Sequence, residues 1–444
     1  MGSKWRQDKD RQFAGLAAVV LVCAAMISAS PAAAESTIPE SSRGCVSCHV
    51  KEKVAATAIE EWKNSTHAKE GVGCLDCHEA EKGKPATFEH YGSTIHIIVT
   101  PNDCAQCHEK ESRQFQASHH ANAGEILGSL DNFLGEVVEG PPAAISGCQQ
   151  CHGGPVKVLA NGKIDPTTWP NTGIGRINPD GSKGACSACH SRHLFSAKVA
   201  RSPESCGKCH LGPDHPQKEI YDESKHGVAF YVNRDRMNLG SRSWVLGKDY
   251  TAAPTCSTCH LSATADLPVT HDPGERLSWT LRPAVSNKME NWEKKRATMK
   301  QVCGNCHDQR FVGSFYTQYD ITVDLYNEKF AKPAGELMKK LADAGKITPS
   351  TFTSKIEWTY FLMWHHEGRR ARHGAAMMAP DYTQWHGFFE VANRFYNELL
   401  PEAEELLPGS TAFILAQDPH KWKKGISKEE REKMKKFYEE RYGK

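Results

Sequence analysis

The chain has 444 residues and a formal net charge of +2 at pH 7, so its charge gives no reason to expect a nucleic acid partner. It contains 17 cysteines, of which sixteen lie in eight copies of Cys-x-x-Cys-His and the other is Cys23. This distribution leaves no cysteines for a framework of disulfides.

Residues 1–34 have the features of a signal peptide. Several basic residues precede an apolar run from Phe13 to about Ile27, and the small residues Ala32 to Ala34 provide a cleavage site. A retained membrane anchor is the alternative, but the Ala-x-Ala site favours removal. No later apolar run is long enough to span a bilayer. The chain is therefore predicted to be periplasmic, with no integral membrane segment after signal removal.

The eight motifs lie within residues 35–310, and each has the pattern of a c-type haem attachment site. In such a site two thiols add to the vinyl groups of the porphyrin, and the histidine becomes an axial ligand of the iron. Zinc sites do not need a histidine after every second cysteine, and disulfides would leave the histidines unexplained. We therefore expect eight covalently bound haem c groups. The attaching cysteines are Cys45, Cys48, Cys74, Cys77, Cys104, Cys107, Cys148, Cys151, Cys186, Cys189, Cys206, Cys209, Cys256, Cys259, Cys303 and Cys306. The proximal iron ligands are His49, His78, His108, His152, His190, His210, His260 and His307.

So many porphyrins leave little room for an ordinary side-chain core, and the porphyrins themselves are expected to be the core. The predicted fold is mainly α, with haem-wrapping loops and short helices over residues 35–310. Gly and Pro are frequent between the motifs, which favours loops. One connecting segment, Gly153 to Ala185, is rich in Gly, Pro and Asn and directly follows the fourth motif. This segment is predicted to cover the fourth haem.

Residues 311–444 are predicted to form a C-terminal bundle of long helices, because apolar residues recur there at helical spacing. The predicted helices are Arg310 to Leu341, Ile356 to Ala376 and His386 to Leu407, punctuated by Pro380, Pro401 and Pro408. Ser427 to Glu430 fits the cap of a charged helix that ends near Tyr442. Such helices either make oligomers or only cover the haems, and the pattern alone does not choose between these roles.

An electron-transfer haem usually has a second axial ligand, whereas a catalytic haem keeps one position open for substrate. Fourteen of the 22 histidines lie outside the motifs, which is ample for bis-histidine ligation. His67 and His120 share the setting Ser-x-His-Ala, while His193 follows His190 too closely to bind the same iron easily and is predicted to serve a neighbouring haem. A solvated or hydrogen-bonded side chain is the alternative for each. The predicted distal ligands are His67, His90, His120, His193, His226 and His271, with His366 and His373 as candidates from the C-terminal helices.

Eight motifs followed by long helices resemble the octahaem hydroxylamine oxidoreductase family. The resemblance is also carried by Ser191-Arg192-His193-x-Phe195-Ser196, Asp214-His215, Ser224-Lys225-His226-Gly227 and Thr270-His271. It implies that the fourth haem, held by Cys148, Cys151 and His152, has no distal protein ligand and is the reaction centre. It further implies that Asp214 and His215 lie over the open face, where histidine can exchange protons and a carboxylate can orient it. The alternative for His215 is that it is another distal ligand.

In oxidative members of that family, a tyrosine from a neighbouring subunit is covalently joined to the catalytic porphyrin. Tyr382 is the candidate here, with Trp385 as a rival and a plain aromatic core position as the alternative. The resemblance also implies a homotrimer, a small nitrogen compound as substrate, and a small redox cytochrome or quinol-linked protein as electron partner. Three functions stay open: oxidation of hydroxylamine or hydrazine, reduction of nitrite or hydroxylamine to ammonium without the cross-link, and electron conduction with no open iron.

Overall fold

The computed structural model describes residues 38–125, 133–348 and 351–443, and the predicted signal peptide lies outside these ranges. The chain divides into two compact units, Met1–Gly73 and Cys74–Lys444. The predicted boundary at residue 310 falls inside the second unit and stays a prediction. Described residues form mostly helices, and the predicted mainly α fold is confirmed. None of the described helices is long and apolar enough to cross a membrane.

The described part of the first unit consists of three helices, α1 (Glu40–Lys51), α2 (Ala56–Asn64) and α3 (Thr66–Lys69). Its small apolar cluster contains the buried residues Val46, Trp62 and Ala68. The Trp62 indole donates to the carbonyl of Val72 at 3.1 Å. Ser65 caps α3, because its hydroxyl accepts a hydrogen bond from the Ala68 amide at 3.1 Å. These contacts fix the two helices that carry His49 and His67.

From Cys74 to His260 the second unit is built from short helices joined by loops, as predicted for a haem-wrapping region. The helices are α4 (Leu75–His78), α5 (Pro101–Ala105), α6 (Glu109–Gln116), α7 (Pro141–Ser146), α8 (Cys148–His152), α9 (Ala197–Arg201), α10 (Pro203–Gly207), α11 (Gln217–Glu223), α12 (Lys225–Asn233) and α13 (Cys256–His260). A π-helical turn spans Leu134–Glu139, and 3₁₀ turns span Cys186–Ala188 and Arg234–Met237. Side-chain caps set several helix starts; Thr100, for example, forms a capping box with Asp103 ahead of α5.

Two short antiparallel hairpins provide the strands of the second unit. In the first hairpin β1 (Thr87–His90) pairs with β2 (Ser93–His96). In the second, β3 (Trp279–Thr280) pairs with β4 (Asn287–Lys288). The hairpins are separate two-stranded sheets, so the expectation of few strands is met in the described part of the chain.

The C-terminal part consists of long rods in which α-helical segments alternate with π-helical turns. The α-helices are α14 (Trp292–Cys303), α15 (Gln309–Tyr326), α16 (Lys332–Asp343), α17 (Lys355–Phe361), α18 (Gly368–Ala376), α19 (Pro380–Thr383), α20 (Glu390–Arg394), α21 (Leu400–Leu406), α22 (Ala412–Leu415) and α23 (Lys428–Tyr442). The π-helical turns are Asn327–Ala331, Leu362–Glu367, Gln384–Phe389 and Phe395–Leu399, and a 3₁₀ segment spans Asp418–Lys424. The cap predicted for the last helix is confirmed, because the Ser427 hydroxyl accepts from the Glu430 amide at 3.1 Å.

Two prolines lie inside these rods, and each follows a π-helical turn. Pro333 comes two residues after the turn that ends at Ala331, and Pro401 comes two residues after the turn that ends at Leu399. Proline lacks an N–H, and its ring crowds the carbonyl four residues back. A wider π turn moves that carbonyl away. The expectation that Pro401 punctuates the helix was therefore wrong, whereas Pro380 and Pro408 do lie at helix boundaries.

A side-chain core fills the C-terminal helices, which corrects the expectation that porphyrins alone form the core. Its fully buried members include Tyr326, Leu337, Met363, Phe395 and Leu399, each with 0% exposure. They come from the three rods that cover residues 309–343, 355–376 and 380–406. Their burial removes large apolar side chains from water, which stabilises the bundle without help from a cofactor.

Gly368→Ala is expected to lower the free energy of unfolding by about 1–3 kcal/mol, because overpacking forces a closed core to shift. A methyl group at this position would lie 2.4 Å from the Tyr326 hydroxyl, and Tyr326 is held beneath the Arg372 guanidinium. Thermal unfolding followed by circular dichroism measures the change. Gly313→Ala in α15 is the matched control, since a methyl group there meets nothing within 4 Å. Equal losses in the two variants would contradict the predicted clash.

Candidate functional site

In the described part of the chain, no disulfide joins any of the sixteen motif cysteines. Thiols of different motifs also lie beside one another, close enough to hydrogen bond. The pairs are Cys104 with Cys186, Cys151 with Cys209, and Cys206 with Cys256. The fourth motif thus lies next to the sixth, and the sixth lies next to the seventh.

Three motif histidines face a second histidine ring at the distance that shared metal binding requires. Metal–imidazole bonds are about 2 Å long, so two rings on opposite sides of one metal have centroids about 6 Å apart. The observed pairs are His78 with His193 at 6.2 Å, His210 with His120 at 6.0 Å, and His307 with His226 at 6.0 Å. His96 and His215 lie at similar distances from His78 and His210, but each uses Nε2 in a hydrogen bond to a backbone carbonyl. The residues present therefore fit bis-histidine haems at the second, sixth and eighth motifs. The pairing also places His193 beside the histidine of a motif other than its own, and its role as a ligand there stays a prediction.

The orientation of several proximal histidines is fixed by a hydrogen bond at Nδ1, which leaves Nε2 for iron. His78 Nδ1 lies 2.9 Å from the carbonyl of His96, and His260 Nδ1 lies 3.0 Å from the carbonyl of Pro273. His210 Nδ1 instead lies 3.2 Å from the side-chain oxygen of Gln217. His96 also has a ring near His78, but its Nε2 bonds the Cys77 carbonyl at 3.2 Å, so it positions His78.

The other predicted distal ligands stay predictions. His271 lies near His108, and its pKa is lowered by burial and partly by that neighbour. His67 shares the first unit with His49, and His90 lies at the end of β1 beside Tyr91, 4.9 Å between ring centroids. Burial and the adjacent His365 lower the pKa of His366 to about 4. His373 presents Nε2 to the Gln217 amide nitrogen at 3.3 Å, so iron binding through that nitrogen would require Gln217 to move.

The segment after the fourth motif folds back onto it, and the covering of the fourth haem by this segment stays a prediction. The amides of Ile174 and Gly175 donate to the carbonyls of Cys151 and His152 at 2.9 and 3.1 Å. The crossing is too close for side chains, since a methyl group on Gly173 would lie 2.0 Å from the amide nitrogen of Gly153. Glycine is therefore required where the two backbone segments cross, and the crossing fixes the backbone around His152.

Asp214 and His215 form a hydrogen-bonded pair next to the fourth and sixth motifs. His215 Nδ1 lies 2.5 Å from Asp214 Oδ1, and its Nε2 lies 2.9 Å from the carbonyl of Cys209. His215 also lies close enough to Cys151 for its charge to act there, and Cys151 in turn contacts Cys209. Because both ring nitrogens of His215 are engaged, the alternative that it is a distal iron ligand is disfavoured by this geometry.

The electrostatics of the pair favour a charged histidine beside a charged carboxylate. Burial opposes charge on His215, but the hydrogen bond that its Nδ1 donates to Asp214 prevails and raises its pKa. Burial likewise opposes ionisation of Asp214, yet the contact with His215 and the charge of Arg369 hold its pKa well below the usual range. The arrangement can store and release a proton at a ring fixed in orientation.

Sequence reasoning missed two further members of this cluster, His365 and Arg369. Arg369 Nη1 donates to Asp214 Oδ2 at 3.1 Å and to His365 Nε2 at 2.9 Å, while its Nε donates to the Arg282 carbonyl at 3.0 Å. Because a guanidinium only donates, His365 accepts at Nε2. Their spacing of four residues places both on one helix face, and this spacing is the sequence feature that could have identified them.

Tyr382 lies at α19 and is partly buried. Its pKa is raised by burial and by the nearby carboxylates of Glu219 and Glu223. The ring centroid lies 5.5 Å from that of His386, and the rival Trp385 is 59% exposed. A role for Tyr382 in a covalent bond to a porphyrin stays a prediction.

Three family models match parts of the chain. They are "Seven times multi-haem cytochrome CxxCH" over residues 175–354, "Cytochrome c3" over residues 95–211, and "Cytochrome c554 and c-prime" over residues 21–79. A curated relative, the "Probable nitrite reductase-hydroxylamine oxidoreductase fusion protein" of Kuenenia stuttgartiensis, is 25% identical over 82% of this chain. The match spans about half the length of that relative, 51%.

Two solved structures share the fold. A "Hypothetical multiheme protein" superposes with a TM-score of 0.74 at 25% identity and covers 85% of this chain and 97% of its own. A reducing HAO-like protein complex of Kuenenia stuttgartiensis gives a TM-score of 0.61 at 19% identity, over 82% of this chain and 84% of its own. Together with the motifs and the facing histidine rings, these matches show that the chain is similar to multihaem c-type cytochromes, among them a relative named for hydroxylamine oxidoreductase.

Proposed function

We propose that the protein is an octahaem cytochrome c that catalyses multi-electron redox chemistry of a small nitrogen compound at the fourth motif. The observation that carries this proposal is the Asp214–His215 pair beside Cys151, with both ring nitrogens of His215 engaged within the protein. When bound, an open haem supplies a position for substrate and an exchange of electrons. The substrate class is hydroxylamine, hydrazine or nitrite.

The cluster supplies what such chemistry requires beyond electrons. Oxidation of hydroxylamine releases protons with electrons, and reduction of nitrite takes up both. His215 exchanges protons near neutral pH, Asp214 orients its ring through Nδ1, and Arg369 fixes the second carboxylate oxygen. Because Cys151 lies beside Cys209, haems held at the fourth and sixth motifs would be neighbours able to exchange electrons. The other seven motifs would hold haems that pass electrons to or from a small redox cytochrome or a quinol-linked protein.

The direction of the reaction depends on Tyr382. If Tyr382 is joined to the fourth haem of a neighbouring subunit, the protein oxidises hydroxylamine or hydrazine. If it is not, the protein reduces nitrite or hydroxylamine to ammonium. The printed name of the curated relative combines both chemistries and supports nitrogen compounds as substrates without choosing a direction. A reducing, denaturing gel stained for haem separates the cases: a covalent trimer supports oxidation, and haem-bearing monomers support reduction.

The test of the proposal uses the purified, fully haem-loaded protein. We expect a high-spin, five-coordinate haem signal in electron paramagnetic resonance, and turnover of hydroxylamine with an electron acceptor or of nitrite with a reduced donor dye. Low-spin signals alone, together with no turnover in either direction, would instead support a pure electron conduit.

Location and assembly follow from the same proposal. Residues 1–34 direct export, so the mature protein is periplasmic and receives its haems there. The proposed assembly is a homotrimer, which sedimentation of the purified protein tests directly. A monomer in solution would remove the neighbouring subunit that the Tyr382 cross-link requires.

A further inference from the structure

A chain of side-chain hydrogen bonds connects the proximal histidine of the sixth motif to the C-terminal helices. His210 Nδ1 lies 3.2 Å from Gln217 Oε1, and Gln217 Nε2 lies 3.3 Å from His373 Nε2. Since Nδ1 of an iron-bound histidine carries a proton, His210 donates and the glutamine oxygen accepts. The glutamine amide then donates to His373. Gln217 therefore acts as acceptor for one histidine and donor for the other.

The backbone holds Gln217 firmly in this place. The Gln217 amide donates to the carbonyl of His215 at 2.8 Å, and the amide of the next residue, Lys218, donates to the carbonyl of His210 at 3.0 Å. Gln217 is also the first residue of α11. The side chain thus starts from a fixed backbone position between His210 and the Asp214–His215 pair.

This acceptor differs from those of the other oriented proximal histidines. His78 and His260 donate to backbone carbonyls, whose positions are fixed by the fold, whereas His210 donates to a side chain. A side-chain amide is polarised by the bond that it donates, so it accepts more strongly when His373 is engaged. The strength of the hydrogen bond to an axial histidine is one of the means by which a protein sets the potential of a haem.

We propose that Gln217 is a positioning residue that sets the reduction potential of the haem held by His210. The consequence for catalysis rests on the proposed function: the sixth haem neighbours the fourth through Cys151 and Cys209, so Gln217 controls electron exchange with the reaction centre. The potential itself does not depend on any substrate.

Two substitutions shift the potential in opposite directions. Gln217→Glu replaces the amide with a charged acceptor of the same shape, which makes His210 more electron-donating and moves the potential lower. Gln217→Met keeps a similar length but removes the acceptor, which moves the potential higher. Gln318→Met, at an exposed position of α15, is the matched control and leaves the potentials unchanged.

The measurement is a spectroelectrochemical titration of the fully haem-loaded protein without substrate. We expect one component of the titration curve to move, down in the Glu variant and up in the Met variant, with haem content unchanged. Shifts in the same direction, or no shift in either variant, would overturn the proposal. If the Met variant fails to fold, the Glu variant is sufficient: a lower potential supports the proposal, and an unchanged potential overturns it. A shift without turnover of nitrogen compounds would retain this inference while the proposed function fails.

Discussion

Asp214→Asn is expected to lower turnover by about 10²–10⁴-fold, the usual contribution of a positioned acid–base group. Asparagine keeps the shape of the side chain but removes the charge that raises the pKa of His215. The new amide N–H would also lie against either His215 or Arg369. Both of these residues donate to Asp214 in the native protein, so one of the two hydrogen bonds would be replaced by two donors facing each other. Steady-state assays of hydroxylamine oxidation and nitrite reduction, with haem content measured on the same samples, provide the test.

Asp222→Asn is the matched control for this substitution. Asp222 lies on α11, a short distance along the chain, and forms an ion pair with Lys218 at 2.6 Å. The Asp222 side chain is 37% exposed, and ion pairs at the surface contribute little to stability. We expect its turnover to stay within about twofold of the native value, given how small that contribution is. If both variants lose activity equally, or Asp214→Asn retains it, Asp214 has only a structural role.

His120→Ala is expected to convert one low-spin haem to a high-spin haem while all haems stay attached. The ring of His120 lies 6.0 Å from that of His210, so its removal opens the distal position at the sixth motif. Electron paramagnetic resonance measures the added high-spin signal. His215→Ala should add no such signal, because both nitrogens of His215 bond within the protein.

His386→Ala serves as a control for histidine removal as such. Its side chain is 49% exposed and lies near Asp381 and Glu390. We expect the spectrum of this variant to match that of the native protein. A new high-spin signal from His215→Ala, with none from His120→Ala, would reverse the assignment of ligand and proton-handling residue.

Haem attachment was predictable from sequence because its chemistry is contained in five adjacent residues. The partners of the proximal histidines were less accessible, since pairs such as His78 and His193 meet only after the loops between them fold. Arg369 lies 155 positions from Asp214, and no local pattern connects the two. Helix periodicity predicted the C-terminal rods, but the passage of one rod through Pro401 depends on a π-helical turn that periodicity does not reveal.

The side-chain core of the C-terminal helices has a consequence for how the protein matures. Apolar side chains such as Leu337, Met363 and Phe395 pack against one another there. This packing uses side chains alone, so that region can hold its helices before cofactor delivery is complete. The region from Cys74 to His260 has a smaller apolar cluster of its own, around Phe230, Met237 and Trp244, and the rest of it consists mainly of loops around the haem motifs. Haem attachment thus takes place on a chain whose C-terminal helices are already folded, and a chain that lacks some of its haems keeps those helices.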